Sequence, residues 1–220
     1  MKLAYLPSDF YNERVDEQGR RYTLDALVLH TTQGTDSRTW LTKTGNVSAN
    51  ELIRREGDEA VAYLMVGESF AAWHAGDVVG VPTTPLYEAH DRANPNLWTY
   101  GFEIEGYAAG PVDPLQLECV VSRIRDVRSR HGNVPLIDHR ELAPGNRTDP
   151  GIWRSAIDAA LEDEVASLSP EDKAYIEAKF TELYGVLYAL ERRQLRGQDA
   201  LNPDNRPIVA GELVNQQIAR

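Results

Sequence analysis

The sequence predicts an α/β domain followed by a C-terminal helical extension. Three observations carry that prediction. Short apolar runs bounded by polar and turn residues recur between residues 24 and 107, as buried strands do. A helix with a full set of start and stop signals follows at residues 113–132. A second strong helix start then appears at Ser169, after the mixed pattern has ended. The chain is therefore divided into a main domain, residues 1–166, and an extension with tail, residues 167–220.

The elements follow in order. LDALVLHTT, residues 24–32, is short and apolar with polar flanks, and reads as a central strand. Asp36-Ser37 precede a short helical stretch around Trp40 and Leu41. NELIRRE and AVAYLMV, residues 50–56 and 60–66, read as two strands joined by a turn at Gly57-Asp58. TYGFEIEGY, residues 99–107, is another strand whose alternation puts Glu103 and Glu105 on one face. The Pro-rich stretch of residues 76–96 reads as the rim of a binding groove or as a plain surface insertion.

In the next helix Asp113 is the N-cap, Pro114 takes the first position and Gln116 stands where a capping box wants it. Leu117, Val120, Val121, Ile124 and Val127 recur with helical period, and Gly132 stops the helix. A further helix is expected from near Trp153. The extension starts at Ser169-Pro170-Glu171-Asp172, with Gly197 as its stop and an irregular tail from Gln198. Its stripe of Ile176, Phe180, Leu183, Leu187 and Leu190 implies docking on the main domain or pairing with a second copy, a homo-oligomer.

Composition narrows the function classes. A net charge of −11 argues against a nucleic-acid partner, which needs a basic stripe. The arginines of SRIRDVRSRH read as a solvated helix face. No apolar run reaches the roughly 18 residues of a membrane span, so membrane insertion is not expected. MKLAYLPSDFYNERVDEQ lacks a basic segment leading into an apolar stretch, so synthesis in the cytoplasm without a secretory signal is expected. The single cysteine, Cys119, excludes an internal disulfide framework and reads as a buried structural thiol.

Histidines hold the chemical interest. His30 ends an apolar strand, where a lone histidine is most simply a satisfied polar group. His139 opens DHRELAPGNRTDPG, a Pro/Gly-rich loop with Asp149 ten residues on. Two histidines and an aspartate with an open fourth position form a catalytic zinc arrangement, whereas structural zinc usually fills its sites with cysteine. Pro150 stiffens the aim of Asp149, and Pro144-Gly145 turns the loop back toward His139.

Taken in order, LVLHTTQG, VSANELIRREG, AAWHAG, YGFEIEG and DHRELAPGNRTDPG resemble the type 2 N-acetylmuramoyl-L-alanine amidases. That family includes phage endolysins, cytosolic amidases of muropeptide recycling and the related peptidoglycan recognition proteins. The resemblance covers about residues 24–157 and rests on five motifs rather than one. It implies a mixed central sheet flanked by helices, with His30, His139 and Asp149 as zinc ligands and Glu103 as general base. It places Trp73 and His74 on the wall of the substrate groove. Arg147 stands where many members have lysine; it can stabilise an oxyanion but cannot exchange a proton. Asn50 stands where many have histidine, and reads as a structural strand residue. Glu105 remains an equally placed competitor for Glu103.

The implied reaction is zinc-assisted hydrolysis of the amide between the muramic acid lactyl group and L-alanine, with peptidoglycan or muropeptides as substrate. A phage-type endolysin acting on the wall after release is the leading expectation. A cytosolic recycling amidase and a non-catalytic peptidoglycan-binding protein are the alternatives. The complete ligand set argues against the last.

Overall fold

The computed structural model describes residues 2–167 and 178–179. The chain divides into two units, Met1–Leu161 and Glu162–Arg220, and the first holds every element that positions the site. The helix start at Ser169, the stop at Gly197 and the tail lie outside the described residues, as does the Ile176-to-Leu190 stripe; Ala178 and Lys179, the two described there, are helical.

Two short strands come first, β1 (Lys2–Tyr5) and β2 (Tyr11–Glu13). They are followed by β3 (Ala26–Thr31), β4 (Glu51–Glu56), β5 (Glu59–Leu64) and β6 (Phe70–Ala72). A short helix α1 (Pro85–Ala89) precedes β7 (Thr99–Ile104) and the long helix α2 (Pro114–His131). Then come β8 (Leu136–Asp138), α3 (His139–Leu142) and α4 (Ile152–Ser167). Six strands form one mixed sheet in the order β1-β5-β4-β7-β3-β8, in which only β4 and β5 pair antiparallel. Gly57, at φ 64°, makes the tight turn between those two. Strands β2 and β6 form a separate antiparallel pair.

The sequence-predicted strands and α2 are all present, trimmed by a few residues. The stretch at Trp40 and Leu41 is a single π-helical turn, Trp40–Thr44. Strands β1, β2, β6 and β8 have three or four residues each, too few for a period-2 pattern to stand out.

Helix α2 covers one face of the sheet. Leu27, Leu29, Phe102 and Ile104 from the strands meet Val120, Val121, Ile124 and Val127 of α2, with Trp153 and Ile157 of α4 in the same cluster. Cys119 is 1% exposed within it, as a structural thiol should be. Asp113 caps α2 by accepting from the N–H groups of Leu115 and Gln116 at 2.9 and 3.0 Å. Gln116 does not close a capping box. Its amide instead donates to the carbonyls of Ile53 and Glu105, tying α2 to the ends of β4 and β7.

The arginines of α2 are not all solvated. Arg123 is 7% exposed and grips the fully buried Glu51 through two contacts of 2.8 Å, while Tyr100 donates to the same carboxylate at 2.6 Å. A buried carboxylate on β4 needs a cation facing it, and the helix supplies one. The expectation of a solvated face fails at this position because charge periodicity does not reveal the partner strand.

Candidate active site

The site grows from the alternation of β3 and β7. Leu27 and Leu29 point under α2, so Ala26, Val28 and His30 face the other side. On β7 the α2 side takes Tyr100, Phe102 and Ile104, which leaves Thr99, Gly101 and Glu103 beside His30. His30 and Glu103 are register partners across the parallel β3–β7 pair.

His139 enters from the far neighbour of β3. It opens α3 directly after β8, not an irregular loop as the sequence reading expected. The sequence D-H-R-E explains the difference: Asp138 sits at the N-cap, and Glu141 accepts its backbone N–H at 2.6 Å. Arg140 and Arg154 then hold the Asp138 carboxylate at 2.9 Å each. Asp149 returns on the following loop, its carbonyl accepting from Arg140 N–H at 3.2 Å and its carboxylate from Thr31 N–H at 3.4 Å.

Three polar atoms converge there. His30 Nδ1 and His139 Nδ1 are 2.8 Å apart, His139 Nδ1 is 3.2 Å from Asp149 Oδ2, and His30 Nδ1 is 3.6 Å from it. His30, His139 and Asp149 are 1%, 4% and 5% exposed. The far nitrogens are engaged elsewhere: His139 Nε2 donates to Ala75 O at 2.9 Å, and His30 Nε2 meets His74 Nδ1 at 2.9 Å. Burial, with His139 beside it, pushes His30 down to about 4, so its ring is neutral near pH 7. For Asp149 burial opposes ionisation, but hydrogen bonding to His139 and His30 outweighs it and holds the carboxyl below its ordinary range. The Nδ1 atoms of two histidines and a carboxylate oxygen thus face one point. Among the described residues, this is the group of histidine and carboxylate side chains that could hold a metal ion.

The spacing suits a small tetrahedral cation. Zinc bound at about 2.0–2.1 Å would set its ligand atoms about 3.3 Å apart. The separations of 2.8, 3.2 and 3.6 Å bracket that value.

The two glutamates of FEIEG part company. Glu105 accepts through Oε1 from Asp36 N–H at 2.8 Å and from the N–H and hydroxyl of Ser37 at 3.1 and 3.2 Å. It clamps the loop after β3. Glu103 is 8% exposed, and its Oε2 is buried with no hydrogen-bond partner. Burial and the Asp149 carboxylate push Glu103 up to about 8. A carboxyl with no hydrogen-bond commitment at Oε2 thus stands beside His30.

The family model of the N-acetylmuramoyl-L-alanine amidases matches residues 20–152, more than half of the chain. The chain belongs to that family. It is thus an N-acetylmuramoyl-L-alanine amidase, an enzyme class acting on peptidoglycan. The amidase shares its fold with a selenomethionine derivative of AmpD at 22% identity and a TM-score of 0.56, over 72% of this chain and 93% of that one. It is also similar to the endolysin amidase LysCS of Clostridium intestinale URNW at 16% identity and a TM-score of 0.51, over 73% and 95%. LysC from the same organism gives 16% and 0.51, over 74% and 98%. No curated protein matches the sequence.

Around the cluster of the amidase, Arg147 is exposed and approaches Gly76: a Cβ built on Gly76 would lie 3.5 Å from its guanidinium. Trp73 is partly exposed, packs near Phe10 at 5.8 Å between ring centroids, and lines a cleft with Gly76, Asp77, Asn94 and Asn96. His74, expected on the groove wall, is placed differently. It is 5% exposed and lies behind His30, with both ring nitrogens engaged inside the protein. Asn50 is fully buried, bonded to Gly101 N–H at 2.9 Å and Val66 O at 3.1 Å, a link between β7 and the end of β5.

The 76–96 stretch contains α1 and packs on the His139–Arg147 segment, through Thr83 N–H to Glu141 O and Gly145 N–H to Val79 O, both at 2.9 Å. A larger cavity of about 770 Å³, lined by Tyr5, Tyr11, Phe70 and Arg123, contains none of the converging residues. Volume alone is a poor guide in this molecule. Sequence reasoning missed Asn96 and Thr99. Gly101 did carry a signal, since an isolated glycine in a strand marks a close approach. No helix among the described residues is long and apolar enough to cross a membrane.

Proposed function

We propose that the amidase is zinc-dependent, with His30, His139 and Asp149 as the ligands, and that it hydrolyses the amide between the muramic acid lactyl group and L-alanine. The observation that carries this reading is the meeting of the Asp149 carboxylate with two histidine Nδ1 atoms, the Nε2 atoms of both histidines being engaged elsewhere. Zinc, when bound, supplies a Lewis acid that polarises the scissile carbonyl and acidifies water.

The chain's own residues supply the rest. Glu103, whose carboxylate form a bound cation beside it would favour, removes a proton from the attacking water and delivers it to the leaving amine of L-alanine. The guanidinium of Arg147 stabilises the oxyanion that develops on the carbonyl. Trp73 walls the cleft and orients the substrate. Zinc content of the purified protein, measured beside Asp149→Ala, tests the ligand set. Full occupancy in the variant would remove Asp149 from it.

For the biological setting, the reading adopted is a phage-type endolysin that cuts assembled wall; LysCS, whose fold the chain shares, is named an endolysin amidase. Soluble anhydromuropeptides of recycling are the alternative. Parallel assays on intact sacculi and on soluble muropeptides separate the two. Activity confined to the soluble fragments would overturn the endolysin reading.

A further inference from the structure

Behind the converging atoms lies a buried hydrogen-bond chain that the reaction itself does not use. Thr99 Oγ1 is 2.6 Å from Pro95 O and 3.0 Å from His74 Nε2. His74 Nδ1 is 2.9 Å from His30 Nε2. Thr99, His74 and His30 are 0%, 5% and 1% exposed, so no bulk water can exchange partners with them.

Donor and acceptor rules assign every proton in this chain. A carbonyl oxygen only accepts, so the Thr99 hydroxyl donates to Pro95. Its oxygen then faces His74 as an acceptor, which places a proton on His74 Nε2. His74 is buried, and its ring nitrogens face only Thr99 and His30 with no carboxylate partner, an environment that favours the neutral imidazole. Its Nδ1 is therefore a lone pair and accepts Nε2–H of His30. That leaves the Nδ1 lone pair of His30 directed at His139 and Asp149. In the opposite tautomer of His74, two lone pairs would meet at Thr99, and the proton on His30 would be driven onto Nδ1.

We propose that His74 and Thr99 are positioning residues that lock His30 into the tautomer able to bind the metal. The inference rests on the zinc reading above. The backbone around them is built to hold the relay. A Cβ on Gly101 would lie 2.4 Å from Cγ of His74, so the ring rests directly on β7. Asn96 Oδ1 accepts from the backbone N–H groups of His74 and Ala75 at 3.1 and 2.8 Å. Ala75 O in turn receives Nε2–H of His139. One short turn at Pro95–Leu97 thereby supports both histidines.

The test compares Thr99→Val, which keeps shape but loses the hydroxyl, with Thr99→Ser, which keeps the hydroxyl. Zinc affinity of the full chain is measured by competition with a chromophoric chelator. Thr99→Ser is expected to stay within about 2-fold of the parent, and Thr99→Val to bind about 10- to 100-fold more weakly. Nitrogen-15 spectra of the zinc-loaded parent are expected to show His74 protonated on Nε2 and bare on Nδ1. Equal affinity of the two variants, or a proton on His74 Nδ1, would overturn this inference alone. A parent that takes up no zinc would overturn the proposed function along with it.

Discussion

His30 and Glu103 stand side by side in the register of two parallel strands, on the face of the sheet turned away from α2. Two residues further along, the Glu105 carboxylate is already taken by Asp36 and Ser37. Position in the register and hydrogen-bond occupancy together separate two glutamates that the sequence leaves equivalent.

Their substitutions should therefore fail in different ways. Glu103→Ala is expected to lower kcat by about 10²- to 10⁴-fold while zinc stays bound. Glu105→Ala should keep the chemistry but destabilise the fold by about 1 kcal/mol, because it removes the acceptor of Asp36 and of the part-buried Ser37 in the loop after β3. Rates on a soluble muropeptide, zinc content and Tm for both variants check the pair.

Glu103 also gives a pH signature in the metal-free protein. Its carboxyl is raised from 4.5 to about 8 on folding, so the folded state holds a proton that the unfolded state has released. The stability this confers is present below about pH 4.5 and is lost as pH rises toward 8. Glu103→Gln removes the titration. In the presence of a chelator the variant should gain on the parent by about 1 kcal/mol per pH unit across that window. Urea denaturation at a series of pH values reads the difference.

Arg123 faces a carboxylate with no exposed surface. Arg123→Met keeps much of the side-chain volume but leaves Glu51 buried without its cation. A loss of about 3–5 kcal/mol is expected, with zinc affinity unchanged if the protein is assayed while folded. Denaturant midpoints give the stability, and chelator competition gives the affinity.

Gly101→Ala places a methyl within 2.4 Å of the His74 ring. The ring must move off β7, so the substitution should lower both Tm and zinc affinity, whereas Gly19→Ala, strained by its φ of 79° with nothing within 4 Å, should lower Tm alone. The two variants measured together separate lost room for His74 from the general strain of removing a glycine.

Much of this architecture is legible in the sequence. LVLHTT, TYGFEIEG and the capped helix from Pro114 declare their elements because period, flanks and caps agree. The converging His30, His139 and Asp149 are legible through their motifs. What stays hidden is whatever depends on neighbours distant in sequence. Glu51 needs Arg123 of another element, 72 positions away, and His74 needs Thr99 and the bare backbone of Gly101. The α3 turn was readable in D-H-R-E but was obscured by the prolines and glycines that follow it.

The most direct measurement is digestion of purified peptidoglycan by the zinc-loaded protein, followed by mass spectrometry of the released ends. The account predicts stem peptides that begin with a free L-alanine amine, beside glycan strands with intact lactyl carboxylates and no new reducing ends. New reducing ends, or cuts within the stem peptide in place of the lactyl–alanine bond, would contradict it.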